Sequence, residues 1–323
     1  MKIKSQNKWS YIWLVTGTVL IYFSNWNWAV STATWLYSVF LLRFTRTHRI
    51  VSGLLLLCLV TMAAGVVSML KLLAIDAIPP SFRVVSGLAV GAIFILPFIA
   101  DRLLAYKLPG SAATLIFPCA WTACEYVKSL GGGSWGALAY TQYGNLLLMQ
   151  ITSITGIWGV SFLITWFASI ANFAWEQQFA WRKFRKPAII YSVTLISVLI
   201  YGYGRVTAAP EPAEKVCIAS ITHPRDFVSR FYTPDWTDRK SAYKQMNNDL
   251  EYLFNACVKS VRAGAGIVFW QEYAVSVMQE HEQEFIDRAI KLAVEEKIYL
   301  GMTIALFPLN YPDQPWENRL VWI

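Results

Sequence analysis

Charge is scarce in this chain. Only 15% of its 323 residues are Asp, Glu, Lys or Arg, whereas 56% are hydrophobic and 15 are Trp. The surface of a soluble domain needs more charge, so this composition excludes an ordinary soluble protein. The net charge of +8 does not indicate a nucleic-acid partner, because the basic residues lie in short loops between apolar runs rather than on one face of a helix.

Patterns for metal binding and for disulfides are also missing. The three His residues are scattered, and no HExxH or Cys/His spacing accompanies them, so we predict no metal site and no cofactor. The five Cys are an odd number without a CxxC pattern, which excludes a disulfide framework. A Cys217–Cys257 bridge is conceivable, but two buried free thiols are the favoured interpretation.

Long apolar runs are what the chain has instead. A bilayer core about 30 Å thick needs roughly 20 apolar residues in a helix. Seven runs approach or reach that length, at residues 9–24, 27–42, 50–70, 83–101, 111–130, 153–175 and 187–203. They predict a multi-span helical membrane bundle. A cleaved signal peptide over residues 1–24 is the alternative, but bulky Trp26 and Trp28 follow where small residues are needed.

Loop charges predict the topology of this bundle. With the amino terminus in the cytoplasm, twelve Lys or Arg lie on the inside: Lys2, Lys4, Lys8, Arg43, Arg46, Arg49, Arg102, Lys107, Arg182, Lys183, Arg185 and Lys186. The outside carries four, Lys71, Arg83, Lys128 and Arg205. This bias predicts a cytoplasmic amino terminus in a bacterial inner membrane, with the chain after the seventh span on the periplasmic or extracellular side.

Polar residues within the predicted spans are few. Glu125 and Lys128 lie near the outer end of the fifth span, where ionisable residues are functional candidates. Pairing or snorkelling is the favoured interpretation, because both lie about one turn from the interface. The Gly-rich segment 131–150 is long for a connection, so it is functional, loose, or part of an interfacial aromatic belt. No matched pair of broken spans supports a transporter.

After the last span the pattern changes, which predicts two domains, 1–205 and 206–323. Helical spacing of apolar residues predicts helices over 239–262 and 281–297, and short β-rich runs predict strands at 215–221, 267–270, 298–305 and 318–323. Residues 222–239 read as a loop. Alternating strands and helices predict an α/β layer with parallel pairs.

Glu272 follows the carboxyl end of the predicted strand Ile267–Trp270. Reactive groups collect at the carboxyl ends of strands in such sheets, so Glu272 is a candidate general base, partly buried beside Trp270 and Tyr273. From its position alone, a solvated loop acid is the favoured alternative.

Several stretches resemble apolipoprotein N-acyltransferases, membrane members of the carbon–nitrogen hydrolase (nitrilase) superfamily. They follow the family's order: residues 117–129 (FPCAWTACEYVKS), 135–142 (WGALAYTQ), 155–162 (TGIWGVSF), Phe269–Glu272 in place of Trp-Pro-Glu, and Glu317-Asn318. The resemblance implies a partial nitrilase-like α-β-β-α domain after the bundle. It also implies that Glu272 is the general base of a Glu–Lys–Cys triad. Such a triad transfers an acyl chain from a phospholipid to the amine of a lipoprotein's diacylglyceryl-cysteine.

The chain departs from the family pattern at three places. Gln271 replaces the Pro before Glu272, and Ser220-Ile221-Thr222 replaces Gln-x-Asn. In the family, the triad Lys and Cys follow the fourth strand, where this sequence stops, so truncation and an inactive chain are expected.

None of Cys217, Cys257, Lys291 and Lys297 lies where the triad requires it. Two alternatives therefore stay open: an inactive membrane remnant that binds lipid or lipoprotein, and another membrane-anchored carbon–nitrogen hydrolase. The second half is also expected to aggregate when isolated, because half of a sandwich leaves an apolar face uncovered.

Overall fold

The computed structural model describes residues 10–24, 29–72, 79–208, 215–222, 238–311 and 313–323. Trp26, Trp28 and residues 223–237 of the predicted loop lie outside the described residues. The described helices and strands form two compact units, a helical one and an α/β one.

The helical unit contains ten α-helices among the described residues. They are α1 (Ser10–Tyr22), α2 (Ser31–Thr47), α3 (Ile50–Leu72), α4 (Pro80–Ile93), α5 (Leu96–Leu104), α6 (Ile116–Gly132), α7 (Leu146–Met149), α8 (Thr152–Thr155), α9 (Ile157–Glu176) and α10 (Trp181–Thr207). Each predicted span overlaps at least one helix, but the span at 83–101 falls on α4 and α5, and the span at 153–175 falls on α8 and α9. The span at 83–101 divides at residues 94–95, and Pro97 stands in the first turn of α5.

In the part of the chain that the structure describes, four helical segments are long and apolar enough to cross a membrane: Ile50–Leu70, Pro80–Lys107, Ile157–Glu176 and Trp181–Thr207. Only 17% of the most apolar window of the first is buried inside the protein, against 61% for Ile157–Glu176. The central position of α9 therefore gives the bundle its core, where Phe44, Phe98 and Phe117 are fully buried.

The α/β unit contains β1 (Ile218–Ile221), α11 (Arg239–Arg262), β2 (Ile267–Trp270), β3 (Val275–Met278), α12 (Glu282–Glu296), β4 (Tyr299–Phe307) and β5 (Glu317–Trp322). The two helices and β2 follow the predicted bounds closely, because their apolar spacing is regular. The strand β3 was not predicted, since its four residues follow β2 after a gap of only four.

The sheet is built around β4, the longest strand. β2 pairs in parallel with its first part and β3 with its second part, so these two strands lie in series along one edge. β1 pairs in parallel with β2 on the far side. β5 pairs with the other edge of β4 and is antiparallel, which differs from the predicted parallel arrangement. The described residues between β4 and β5 form no helix, and the chain returns to pair directly with β4.

Helices cover one face of this sheet. Val268, Trp270 and Met302 are buried there together with Leu250 of α11 and Phe285 of α12. On the opposite face, four large apolar side chains are exposed: Ile218 by 59%, Tyr299 by 62%, Leu320 by 65% and Trp322 by 51%. The unit as described is therefore a two-layer structure with one open apolar face.

Candidate active site and membrane motif

Glu272 lies in the short loop that joins β2 to β3. Both ends of this loop are held by backbone hydrogen bonds: Gln271 N donates to Ile221 O at 3.0 Å, and Ala274 N donates to Thr303 O at 3.2 Å. The hydroxyl of Thr303 also donates to Gln271 O. The loop is thus attached to strands on both sides of it, β1 and β4.

The turn itself has an unusual backbone. Tyr273 has φ = +53°, in the left-handed region that costs a non-Gly residue on the order of 1 kcal/mol. Its ring packs edge-to-face on Trp316 at 5.0 Å between centroids. Backbone strain that the surroundings maintain is common at functional sites, and here it turns the chain directly after Glu272.

Asn318 is the hydrogen-bonding partner of Glu272. Its Nδ2 donates to Glu272 Oε1 at 3.0 Å from β5, on the far side of β4. The carboxylate therefore has a defined direction. A carboxylate held in this way can accept a proton from a group brought against it. Sequence reasoning singled out Asn318 only as part of a motif, because its contact depends on the register of β5 against β4.

The expected partial burial of Glu272 beside Trp270 is wrong. Glu272 is exposed, whereas Trp270 is only 3% exposed and faces the helices, where its Nε1 donates to Cys257 Sγ at 3.2 Å. Alternation along β2 explains the difference, since Trp270 takes the helix-covered face and the chain then leaves the strand.

No thiol among the described residues stands near Glu272. Cys257 is buried in α11, and burial raises the pKa of its thiol to about 11, so the thiol stays protonated at neutral pH. Cys217 is free and exposed, but it precedes β1 and thus lies at the amino ends of the strands, opposite to Glu272. No disulfide joins these two residues.

The two lysines considered from the sequence are also elsewhere. Lys291 is exposed on α12 and lies 3.9 Å from Glu295. Lys297 caps the same helix in a left-handed conformation, just before the amino end of β4. Neither lies at the sheet edge that carries Glu272.

Glu125 in α6 is the second acid of interest. It is 1% exposed, and its Oε1 accepts hydrogen bonds from Trp121 Nε1 at 3.0 Å and from the backbone N of Leu138 at 2.9 Å. The described structure gives its Oε2 no partner. Lys128 instead donates to the carbonyl oxygen of Trp135. Glu125 is therefore not a snorkelling surface residue and does not pair directly with Lys128.

The loop above Glu125 is packed rather than loose. Its turn Leu138–Gln142 is largely buried, and Gln142 accepts a hydrogen bond from Trp35 Nε1 at 3.1 Å and donates to Ser31 O at 3.2 Å. The loop therefore connects α2 to α6 through polar contacts. Gln142 bonds to residues at the start of α2, and Leu138 bonds to the buried Glu125 of α6.

A buried ion-pair network lies at the other end of the bundle. Arg46 of α2 binds both carboxylate oxygens of Asp101, at 2.6 and 2.9 Å, and lies 3.4 Å from Glu176 of α9. The prediction that α2 ends near residue 42, with Arg43 and Arg46 in a loop, is wrong, because carboxylates from two distant helices compensate the buried cation.

Comparison with known proteins finds a similarity for most of the helical unit. Residues 16–170, which include Glu125 and the loop that covers it, match the family model described as the apolipoprotein N-acyltransferase N-terminal domain. This part of the chain is therefore similar to the N-terminal domain of apolipoprotein N-acyltransferases. The resemblance stated from the sequence is thereby confirmed.

Individual apolipoprotein N-acyltransferases agree with this assignment. The chain is 28% identical to apolipoprotein N-acyltransferase 1 of Treponema denticola over 164 residues, which are 48% of this chain and 28% of that protein. It is 29% identical to the enzyme of Geobacter metallireducens over 196 residues, 58% of this chain and 35% of that protein. The matches thus span about a third of these relatives' lengths, and Glu272 lies outside residues 16–170.

Proposed function

We propose that this chain takes part in the N-acylation of bacterial lipoproteins, with Glu272 as the general base. One observation carries the proposal: a chain with an apolipoprotein N-acyltransferase N-terminal domain also holds a directed carboxylate at the carboxyl end of β2. Its proposed partners are a phospholipid acyl donor, a lipoprotein acceptor and the lipids of the surrounding inner membrane. The proposed orientation keeps the amino terminus in the cytoplasm.

In the proposed reaction, Glu272 accepts the proton of a Cys thiol supplied by protein outside the described residues. The thiolate attacks an ester carbonyl of the phospholipid, and a Lys stabilises the oxyanion. The ester C–O bond then breaks, and the lysophospholipid leaves with the proton that Glu272 had accepted, so that the Cys carries the acyl chain as a thioester. The amine of diacylglyceryl-cysteine then attacks the thioester, and Glu272 accepts the amine proton. The C–S bond breaks, the amide forms, and Glu272 returns the proton to the Cys thiolate. Asn318 would keep the Glu272 carboxylate aimed during both steps.

We further propose that residues 206–323 are the first part of a nitrilase-like α-β-β-α domain and that residues 1–205 are its membrane domain. The open apolar face that carries Tyr299, Leu320 and Trp322 supports this, because a second sheet would cover it.

The test uses the protein expressed from its complete gene and, in parallel, residues 1–323 alone. Each is purified in detergent and mixed with phospholipid and a diacylglyceryl lipopeptide that has a free amine. Mass spectrometry then follows the gain of one acyl chain. We expect Glu272→Gln to lower kcat at least a hundredfold, since a base typically contributes 10²–10⁴-fold. Glu295→Gln, the same change on an exposed helix residue, is the matched control and should leave the rate unchanged.

The outcomes separate the three hypotheses. Acyl transfer that Glu272→Gln abolishes supports the proposal. Release of ammonia or free acid without transfer would indicate another carbon–nitrogen hydrolase. Binding of lipid or lipopeptide without turnover by either protein would identify an inactive remnant, and transfer that is unaffected by Glu272→Gln would remove the role assigned to that residue.

A further inference from the structure

Three side chains form a polar cluster near the carboxyl end of α10. Arg205 Nη1 lies 3.2 Å from Ser153 Oγ and 3.3 Å from Tyr201 OH, and the two hydroxyl oxygens are 3.0 Å apart. Arg205 and Tyr201 belong to α10, whereas Ser153 belongs to the short helix α8. The cluster thus connects two separate elements of the helical unit.

The cation of this cluster has hydroxyl partners in place of an acid. Among the residues that the structure describes, no Asp or Glu lies within ion-pair distance of Arg205, whereas buried Arg46 has two carboxylate partners in the same unit. Ser153 and Arg205 are exposed, so a ligand can reach both. The guanidinium and the adjacent hydroxyls offer N–H and O–H donors to one anion.

The direction of the Arg205 side chain is informative. Arginine near the end of a spanning helix ordinarily extends toward water. Here Arg205 reaches back along α10 to Tyr201, one turn nearer to the middle of the helix. The two hydroxyls therefore hold the guanidinium about one turn before the carboxyl end of α10. Lipid head groups lie at this level of a helix that crosses a bilayer.

Apolar side chains flank the cluster on both elements. Ile154, next to Ser153, is 66% exposed, and Ile200, next to Tyr201, is 65% exposed. Further along the same helix, Ile196 is 54% and Val193 is 58% exposed. An exposed apolar surface on a helix that is long and apolar enough to span a membrane is suited to acyl chains.

We propose that Ser153, Tyr201 and Arg205 form a binding site for the phosphate group of a membrane glycerophospholipid whose acyl chains lie against α10. A guanidinium with neighbouring hydroxyl donors suits phosphate oxygens. The described surroundings of Arg205 provide no acid to receive an ammonium group, so the site favours an anionic head group such as phosphatidylglycerol over phosphatidylethanolamine. This binding does not depend on acyl transfer.

The experiment titrates the full chain in detergent with phosphatidylglycerol, with phosphatidylethanolamine and with inorganic phosphate, and counts bound lipid by native mass spectrometry. We expect Arg205→Gln to weaken phosphatidylglycerol binding at least tenfold, and Tyr201→Phe and Ser153→Ala to weaken it about threefold each. Arg185→Gln removes the same charge from an exposed position near the start of α10 and should change binding less than twofold.

Equal losses from Arg205→Gln and Arg185→Gln would overturn the site, because they would show a general effect of charge. Displacement of the lipid by millimolar inorganic phosphate would overturn the lipid assignment, and equal binding of both lipids would overturn the head-group preference. If Arg205→Gln does not fold, Tyr201→Phe and Ser153→Ala decide: unchanged lipid binding in both would refute the proposal.

Discussion

The pair of residues Arg46 and Arg49 allows a matched test of the buried ion-pair network. Both are cations at the end of the same segment, but the Arg46 side chain is 4% exposed whereas Arg49 is exposed. Arg46→Met leaves Asp101, whose side chain is 0% exposed, without its bidentate partner. Arg49→Met makes the same chemical change where water surrounds the charge.

The two variants should differ strongly in stability. Removing one partner of a buried ion pair costs about 3–5 kcal/mol, because the remaining charge stays buried without compensation. A surface substitution changes stability by about 0.5 kcal/mol or less. Arg46→Met combined with Asp101→Leu removes both charges and should cost less than Arg46→Met alone, since no unpaired carboxylate remains at that position.

Hydrogen exchange measured by mass spectrometry reports this difference within α2, α5 and α9. Since each 1.4 kcal/mol is a factor of ten, Arg46→Met should accelerate exchange in these helices by about a hundredfold to a few thousandfold. Arg49→Met should stay within about threefold of the unchanged protein. If Arg46→Met exchanges as slowly as Arg49→Met, the network contributes nothing to the packing of the three helices, and the reasoning fails.

Three other predictions concern the α/β unit. A Cβ at Gly301 would lie 2.6 Å from the ring of Phe269, so Gly301→Val should lower the free energy of unfolding of this unit by about 1–3 kcal/mol, measured by hydrogen exchange in β4. Because the pKa of Cys257 is raised to about 11, maleimide at pH 7.5 should label exposed Cys217 and spare Cys257 until the unit unfolds, as peptide mass spectrometry would show. The isolated segment 211–323 should aggregate through its open apolar face; a monomer with cooperative melting in light scattering and calorimetry would contradict this.

Regular apolar spacing made much of the fold predictable. The helix α11 and the strand β2 have the predicted bounds, since their signals are local. The end of α2 was not predictable in this way, because Arg46 is accommodated by Asp101 and Glu176, which are distant in sequence. The strand β3 was missed for a similar reason: four residues become a strand here by pairing with the far end of β4.

The candidate site shows the same limit. The position of Glu272 at a strand end followed from the pattern, but its exposure and its bond to Asn318 did not. That bond depends on β5 lying antiparallel to β4, which a Pro-rich connection does not reveal. Glu125 was noticed as an acid within a span, yet its burial beneath the backbone of Leu138 depends on how the following loop folds back.

β2 and β3 both pair with β4, one after the other. The number of residues in the Glu272 loop is therefore fixed by the pairing of these two strands. From Phe269 to Val275 the chain advances six residues, whereas their partners Gly301 and Ile304 are three apart. The β2–β3 segment therefore has three residues more than the matching part of β4. Because the partners Gly301 and Ile304 are an odd number of residues apart, Val275 faces the helices whereas Phe269 faces away from them. Inserting or deleting one residue there would exchange the inner and outer side chains of β3 or break its pairing. Homologous proteins with this sheet should therefore conserve the length of the loop more strictly than the identities of its residues.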